Sequence, residues 1–221
     1  MTVNANPYIV TSGLVLNLDA GNPRSYPETG TIWNGLTTEG YIGTLNNGVG
    51  YSTNKGGALT FDGVDDRVTL NSNTIISGTQ DFTIESAFNT SDAGGVEYIF
   101  GNYGLGNNGL ELYIYQNRVT LYYAGVYFFS TNSAISSNIW YWITAIRSGN
   151  SNLIYINGTL NASGTNSTSI PTSNPYTIGN GYDFNSEIFV GSIAVVRCYN
   201  IALTADQVAQ NFAAMRGRYG I

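Results

Sequence analysis

The residues that could do chemistry in this chain are carboxylates and phenols, because the sequence has no histidine and a single cysteine, Cys198. Without histidine the commonest general base and the commonest transition-metal ligand are missing. Cys198 lies in the apolar run IAVVRCY and reads as a small buried hydrophobe rather than a reactive thiol. Acidic residues cluster once in a turn, at Asp62-Gly63-Val64-Asp65-Asp66. Clustered carboxylates and backbone carbonyls in a loop suit calcium, with Asp62 or Asp65 as ligand. Asp and Gly also build such turns without any metal. Asp19, just after the first strand, is a further candidate ligand. Glu85 in FTIESAF and Glu111 in LELYIY each stand alone on a strand and read as solvent-facing. No catalytic residue emerges from this set, and the chain reads as non-enzymatic.

Phenols are far more abundant, with 17 tyrosines, and they fall in a pattern. Side chains alternate between the two faces of a strand. In LELYIY, Leu110, Leu112 and Ile114 take one face, and Glu111, Tyr113 and Tyr115 the other. In VTLYY, Val119, Leu121 and Tyr123 oppose Thr120 and Tyr122. In VYFF, Tyr127 and Phe129 oppose Val126 and Phe128. If the aliphatic face is core, Tyr113, Tyr115, Tyr122, Tyr127 and Phe129 form one aromatic surface. Tyrosine buries area while keeping a polar tip, so such a surface suits a sugar ring or a subunit interface. Cover by loops of the same chain, or contact with another subunit, ranks ahead of sugar stacking in this reading.

These residues must be positioned by strands. The stretch 140–160 (WYWITAIRSGNSNLIYINGTL) organises the rest: an aromatic and β-branched strand, a polar turn, a second strand, and Asn157-Gly158 as a two-residue hairpin turn. Trp140, Trp142 and Ile146 share one face; Tyr141, Ile143 and Ala145 share the other. Both are apolar, as for a strand covered on both sides. ALTFDGVDDRVTL reads as strand, turn and returning strand, and Gln116-Asn117 as a turn between paired strands. After the central hairpin, 161–174 is a polar stretch. Thr204 with Gln207 makes a capping box for a short C-terminal helix, with Gly217 as its stop. Residues 1–13 read as an N-terminal arm and 14–221 as a single domain.

Length and composition agree. A chain of 221 residues with 27 glycines and few charged side chains suits one all-β domain of many short strands. Lys and Arg total 8 against a net charge of −6, so no basic patch invites nucleic acid or an anionic membrane surface. No apolar run approaches the ~20 residues that span a bilayer. The N-terminus lacks the basic and apolar regions of a secretory signal.

Several segments in order resemble the laminin-G-like, concanavalin A-like jelly-roll domains: 58–68 (ALTFDGVDDRV), 82–88 (FTIESAF), 140–158, 178–181 (IGNG) and 190–207 (VGSIAVVRCYNIALTADQ). The resemblance implies an all-β, two-sheet antiparallel jelly-roll β-sandwich with a short C-terminal helix. That fold hosts lectins, glycosidases, adhesion modules and structural proteins. Relatives with calcium often use an aspartate in the segment equivalent to 191–197; here Ala194 stands where many carry Asp. Glycosidases of the fold pair carboxylates on one strand as E-x-D-x-E or E-x-D-x-x-E, a pattern this sequence lacks. The opening LVLNLDAGNP and the closing QNFAAMRGRYGI look like versions of the domain in tailed-phage structural proteins. That implies a structural or decorating protein on the virion surface, made in the host cytoplasm. Its partners would be other virion subunits in a homo-oligomer, a trimer suiting capsid symmetry axes. The alternative is a lectin that recognises host surface glycans.

Overall fold

The computed structural model describes residues 8–103, 109–172, 174–181 and 187–221. Its strands in chain order are β1 (Leu14–Asp19), β2 (Ile32–Asn34), β3 (Ile42–Asn46), β4 (Gly50–Ser52), β5 (Ala58–Asp62), β6 (Arg67–Leu70), β7 (Phe82–Thr90), β8 (Val96–Gly101), β9 (Leu110–Tyr115), β10 (Arg118–Tyr123), β11 (Val126–Phe129), β12 (Trp140–Ser148), β13 (Ser151–Ile156), β14 (Thr159–Thr165), β15 (Thr177–Ile178) and β16 (Val190–Tyr199). An α-helix, α1 (Ala205–Tyr219), comes after them. The strands form two antiparallel sheets. Sheet one runs β14-β13-β12-β7-β16-β5-β4, with β1 also paired to β16; sheet two runs β11-β10-β9-β8-β15-β6-β3-β2. The two pack face to face as the expected jelly-roll sandwich.

Alternation builds the core between them. Phe82, Ile84, Phe88, Tyr141, Ile143 and Ala145 from sheet one meet Leu110, Leu112, Ile114, Val119 and Leu121 from sheet two. Each such side chain contributes roughly 1.5–3 kcal/mol when fully buried. The other face of β12 is covered as well. Trp142, Ala87, Ala194 and Val195 pack under α1, and the Trp140 ring stacks on Tyr219 with centroids 5.0 Å apart. The alanines let the helix approach the sheet closely. Asn157 and Gly158 both take positive φ, 49° and 74°, as the hairpin requires. Gly158 answers to a second demand, since a Cβ there would lie 2.6 Å from the Phe212 ring of α1.

Several sequence expectations need revision. The polar stretch 161–174 begins as strand, because β14 extends to Thr165; as an exposed edge strand it has no buried face to betray it. The DGVDD turn does not return its chain to the same sheet. β5 belongs to sheet one and β6 to sheet two, so the turn is a corner between layers. The helix passes through Gly217, which has open space around it, and ends at Gly220, whose φ of 75° is the left-handed cap. Glu85 does not face solvent. It is fully buried beneath α1, where Asn211 Nδ2 donates to its two carboxylate oxygens at 3.1 and 3.0 Å and Arg197 lies 4.0 Å away. Residues 1–7 of the expected arm lie outside the described residues. Within 8–13, the buried Val10 accepts from Tyr199 Oη and donates to Asn211 Oδ1, which ties this part to the chain's own helix.

Burial pushes two carboxyls up to about 7: Glu85 under the helix, and Glu97, whose Oε2 accepts from Val190 N at 2.7 Å. Burial outweighs the hydrogen bonds in both, and Arg197 in the case of Glu85. A carboxyl raised in the folded state holds a proton that the unfolded chain has released. Its contribution is fully present below pH ~4.5 and is lost as pH rises through ~7. Denaturant midpoints are therefore expected to be higher at pH 5 than at pH 8. Glu97→Gln, which keeps an acceptor for Val190 N, is expected to remove on the order of 2–3 kcal/mol of that difference. Equal midpoints at both pH values would contradict this account.

Candidate functional site

With the aliphatic faces of β9 and β10 in the core, their opposite face forms the outside of sheet two. Register brings its side chains together. Tyr113 stands opposite Tyr98 on β8 and Thr120 on β10. Glu111 stands opposite Tyr122, which faces Tyr127 on β11, and Phe129 faces Thr120. All five aromatics singled out from the sequence therefore share one surface. It is not uniformly exposed. Tyr127, Phe129 and Tyr115 keep 54%, 37% and 36% of their surface, while Tyr113 and Tyr122 keep 6% and 5%. Tyr122 is covered by Tyr127, with ring centroids 4.5 Å apart, and by Tyr103 at 5.3 Å. Tyr127 and Phe129 lie parallel, 4° apart in plane and 5.9 Å between centroids. The result is a cleft of about 320 Å³ lined by Val96, Tyr113, Tyr115, Tyr127, Phe129 and Glu187.

Below the rings the cleft is polar. Glu111, expected to face solvent, is 4% exposed and sits among the phenols. Its Oε1, Glu187 Oε2 and Thr120 Oγ1 are enclosed and meet no N–H donor among the described residues, while the Glu111 and Glu187 carboxyls lie against each other. Burial, and next the neighbouring Glu187, push the Glu111 carboxyl well above the usual carboxylate range. Burial likewise raises Tyr98 and Tyr113, with Glu111 as the second cause, so both phenols stay neutral. Enclosed polar groups without partners are rare in folded proteins and ask for an explanation. At one end of the surface the Arg118 guanidinium lies over the Phe129 ring, 5.4 Å from its centroid. Stacked rings above hydroxyl and carboxyl groups can hold a flat, hydroxyl-rich ligand.

Glu111 was within reach of the sequence, because period two already placed it beside Tyr113 and Tyr115. Its isolation from other acidic residues along the strand concealed its burial beside Glu187. Glu187 carries no local signal. It reaches the site only because Ile188, next to it, bridges to Asn180.

The acidic turn is a separate place. Carboxylate oxygens of Asp62, Asp65 and Asp66 lie within 4.8 Å of one another. Asp66 is buried; its Oδ2 accepts from Asp62 N at 2.9 Å, and its Oδ1 has no partner among the described residues. Burial raises Asp66, and Asp62 and Asp65 add to the rise. Hard oxygen donors in this arrangement fit calcium. Asp19 is not brought to them. Its carboxylate takes Arg218 Nη1 at 2.6 Å and fastens the end of α1 to β1.

The two packed antiparallel layers define a jelly-roll scaffold with an open aromatic face. The chain belongs to the concanavalin A-like lectin/glucanases superfamily, whose sequence profile matches residues 62–209. No curated protein sequence matches the chain. Among solved structures, domain 4 of AbnA, an extracellular GH43 arabinanase from Geobacillus stearothermophilus in complex with arabinotriose, superposes with a TM-score of 0.72 at 18% identity, over 91% of this chain and 98% of that domain. The binding domain of botulinum neurotoxin serotype D gives 0.68 at 14% identity, over 90% of this chain and 50% of that one. The Trypanosoma rangeli sialidase in complex with sialic acid gives 0.67 at 16%, over 95% of this chain and 34% of that enzyme. The chain thus spans half or less of the toxin domain and the sialidase. At these identities the likeness is one of fold.

For the acidic turn, titration calorimetry with calcium is expected to give a saturable isotherm that Asp65→Asn weakens. Calcium at about 100 times its Kd should stabilise the fold by ~2.7 kcal/mol, reversed by EDTA. No heat and no shift in melting would leave Asp62, Asp65 and Asp66 as turn builders.

Proposed function

We propose that this protein is a non-catalytic carbohydrate-binding protein whose glycan lies on the aromatic cleft of sheet two. The carrying observation is the cleft itself: exposed Tyr115, Tyr127 and Phe129 beside the part-buried Glu187 carboxyl. Rings supply apolar area for a sugar face, and the Glu187 carboxyl and the phenol hydroxyls that line the cleft can fix its orientation. The superfamily and the arabinotriose complex of a similar fold support this reading. Binding rather than hydrolysis is favoured by the carboxyls. Glu111 and Glu187 are in hydrogen-bond contact, whereas a retaining glycosidase holds its two carboxyls ~5–5.5 Å apart with the sugar between them.

The setting we propose is the surface of a tailed-phage particle, beside other virion subunits. Support for it is confined to the opening LVLNLDAGNP and closing QNFAAMRGRYGI segments. A glycan-binding module there would face the host. Mass spectrometry of purified particles tests the setting, and absence of the chain would remove it without touching the binding reading.

On a glycan array the purified protein is expected to show saturable binding. Tyr127→Ala and Phe129→Ala should each weaken it at least tenfold, about 1.4 kcal/mol, with melting little changed because both side chains are exposed. An array without any bound glycan, or binding indifferent to both substitutions, would sink the proposal.

A further inference from the structure

The carboxyl pair under the rings bears on which glycans the cleft accepts, a question that deepens the carbohydrate-binding reading and rests on it. Glu111 extends from β9 and Glu187 from the segment leading into β16, and the two meet below the aromatic surface. Glu111 Oε1 and Glu187 Oε2 are both enclosed, and neither meets an N–H or O–H donor among the described residues. Two bare carboxylates so placed would repel one another with little water to screen them. Glu111, pushed well above the usual carboxylate range by burial and then by Glu187, is the group that holds a proton, which leaves the pair with a single negative charge.

The surroundings do not cancel that charge. Tyr98, Tyr103, Tyr113 and Tyr122 face the pair as neutral phenols, each raised chiefly by burial. The cation of this surface, Arg118, stands opposite Tyr115 at the hairpin end and covers Phe129; it is not among the residues that line the cleft. Glu187 does line it, with its side chain only part-buried. The cleft therefore offers a bound ring one carboxylate oxygen that can accept from hydroxyls. A carboxylate on the ligand would meet it as a like charge.

We infer that the aromatic cleft selects neutral saccharides, with a ring hydroxyl donating to the Glu187 carboxylate at its wall. Discrimination comes from the repulsive element as much as from the attractive one. Glycans ending in sialic or uronic acids are excluded by Glu187, not by the rings.

An array carrying neutral glycans beside their sialylated and uronate-bearing counterparts tests this. The wild-type chain is expected to prefer the neutral member of each bound pair by at least tenfold. Glu187→Gln, which keeps the shape and removes the charge, is expected to narrow that ratio at least tenfold, its melting curve confirming the fold. Preference of the wild type for the acidic members would overturn the inference, whatever the variant does. So would a ratio unmoved in folded Glu187→Gln; if Tyr127→Ala still abolishes binding in that case, the glycan reading stands and only the selectivity falls. Binding by the wild type that is insensitive to Tyr127→Ala, or no binding at all, removes both.

Discussion

The rest of the structure depends on the burial of sheet one's central strands on both faces. β12, β7 and β16 bury nearly every side chain on both faces, so a single packed layer does not suffice. The inward set meets sheet two and the outward set meets α1. Covering the outer face with one helix leaves that helix little freedom. Its start is fixed by the Thr204 capping box and its end by Arg218, which reaches Asp19 and the carbonyls of Lys55 and Gly57. The Asn157-Gly158 turn that opens β14 must also clear Phe212, which ties hairpin geometry to helix packing.

Sheet two meets a different constraint. Its inner face is buried by the same core, but no helix among the described residues covers its outer face. Tyrosines tolerate that position because the ring buries area while the hydroxyl keeps contact with water. They cover one another: Tyr127 and Tyr103 close over Tyr122, and Arg118 lies over Phe129. The cleft is what this mutual cover leaves open. Its position is set by the short β11 strand, which carries Tyr127 and Phe129 at the sheet's edge, where no further strand of the described residues competes for the space.

Much of this was legible because it rests on period and turn chemistry. The two faces of β12, the positive-φ hairpin at Asn157-Gly158, the Gln116-Asn117 turn and the capping box are local, and local rules read them. The five aromatics were grouped on one face for the same reason. What was not legible depends on neighbours distant in sequence. β14 looks like loop because an edge strand needs no apolar face. The DGVDD corner looks like a hairpin because nothing local says that β5 and β6 join different sheets. Asp19 resembled a ligand because Arg218, 199 positions away, was not in view.

Glu85 and Glu111 show where sequence reasoning stops and geometry must decide. Both are lone glutamates on strands flanked by apolar and aromatic residues, and both are buried with raised carboxyls. Their environments differ in kind. Glu85 has its oxygens satisfied by Asn211 and its charge answered by Arg197, itself held by Asn17 at 2.9 Å and lying over the Trp142 ring. That network is sealed under α1 and positions the helix. Among the described residues Glu111 Oε1 meets no donor and the carboxyl no cation, and its charged neighbour is another carboxyl at the wall of an open cleft. A buried charge is expensive unless paired, so folding alone favours the first arrangement and gains nothing from the second. The cost borne at Glu111 is offset by no packing visible around it. In the glycan-binding reading proposed above, that cost is borne to keep the neighbouring Glu187 carboxyl at the wall of the cleft.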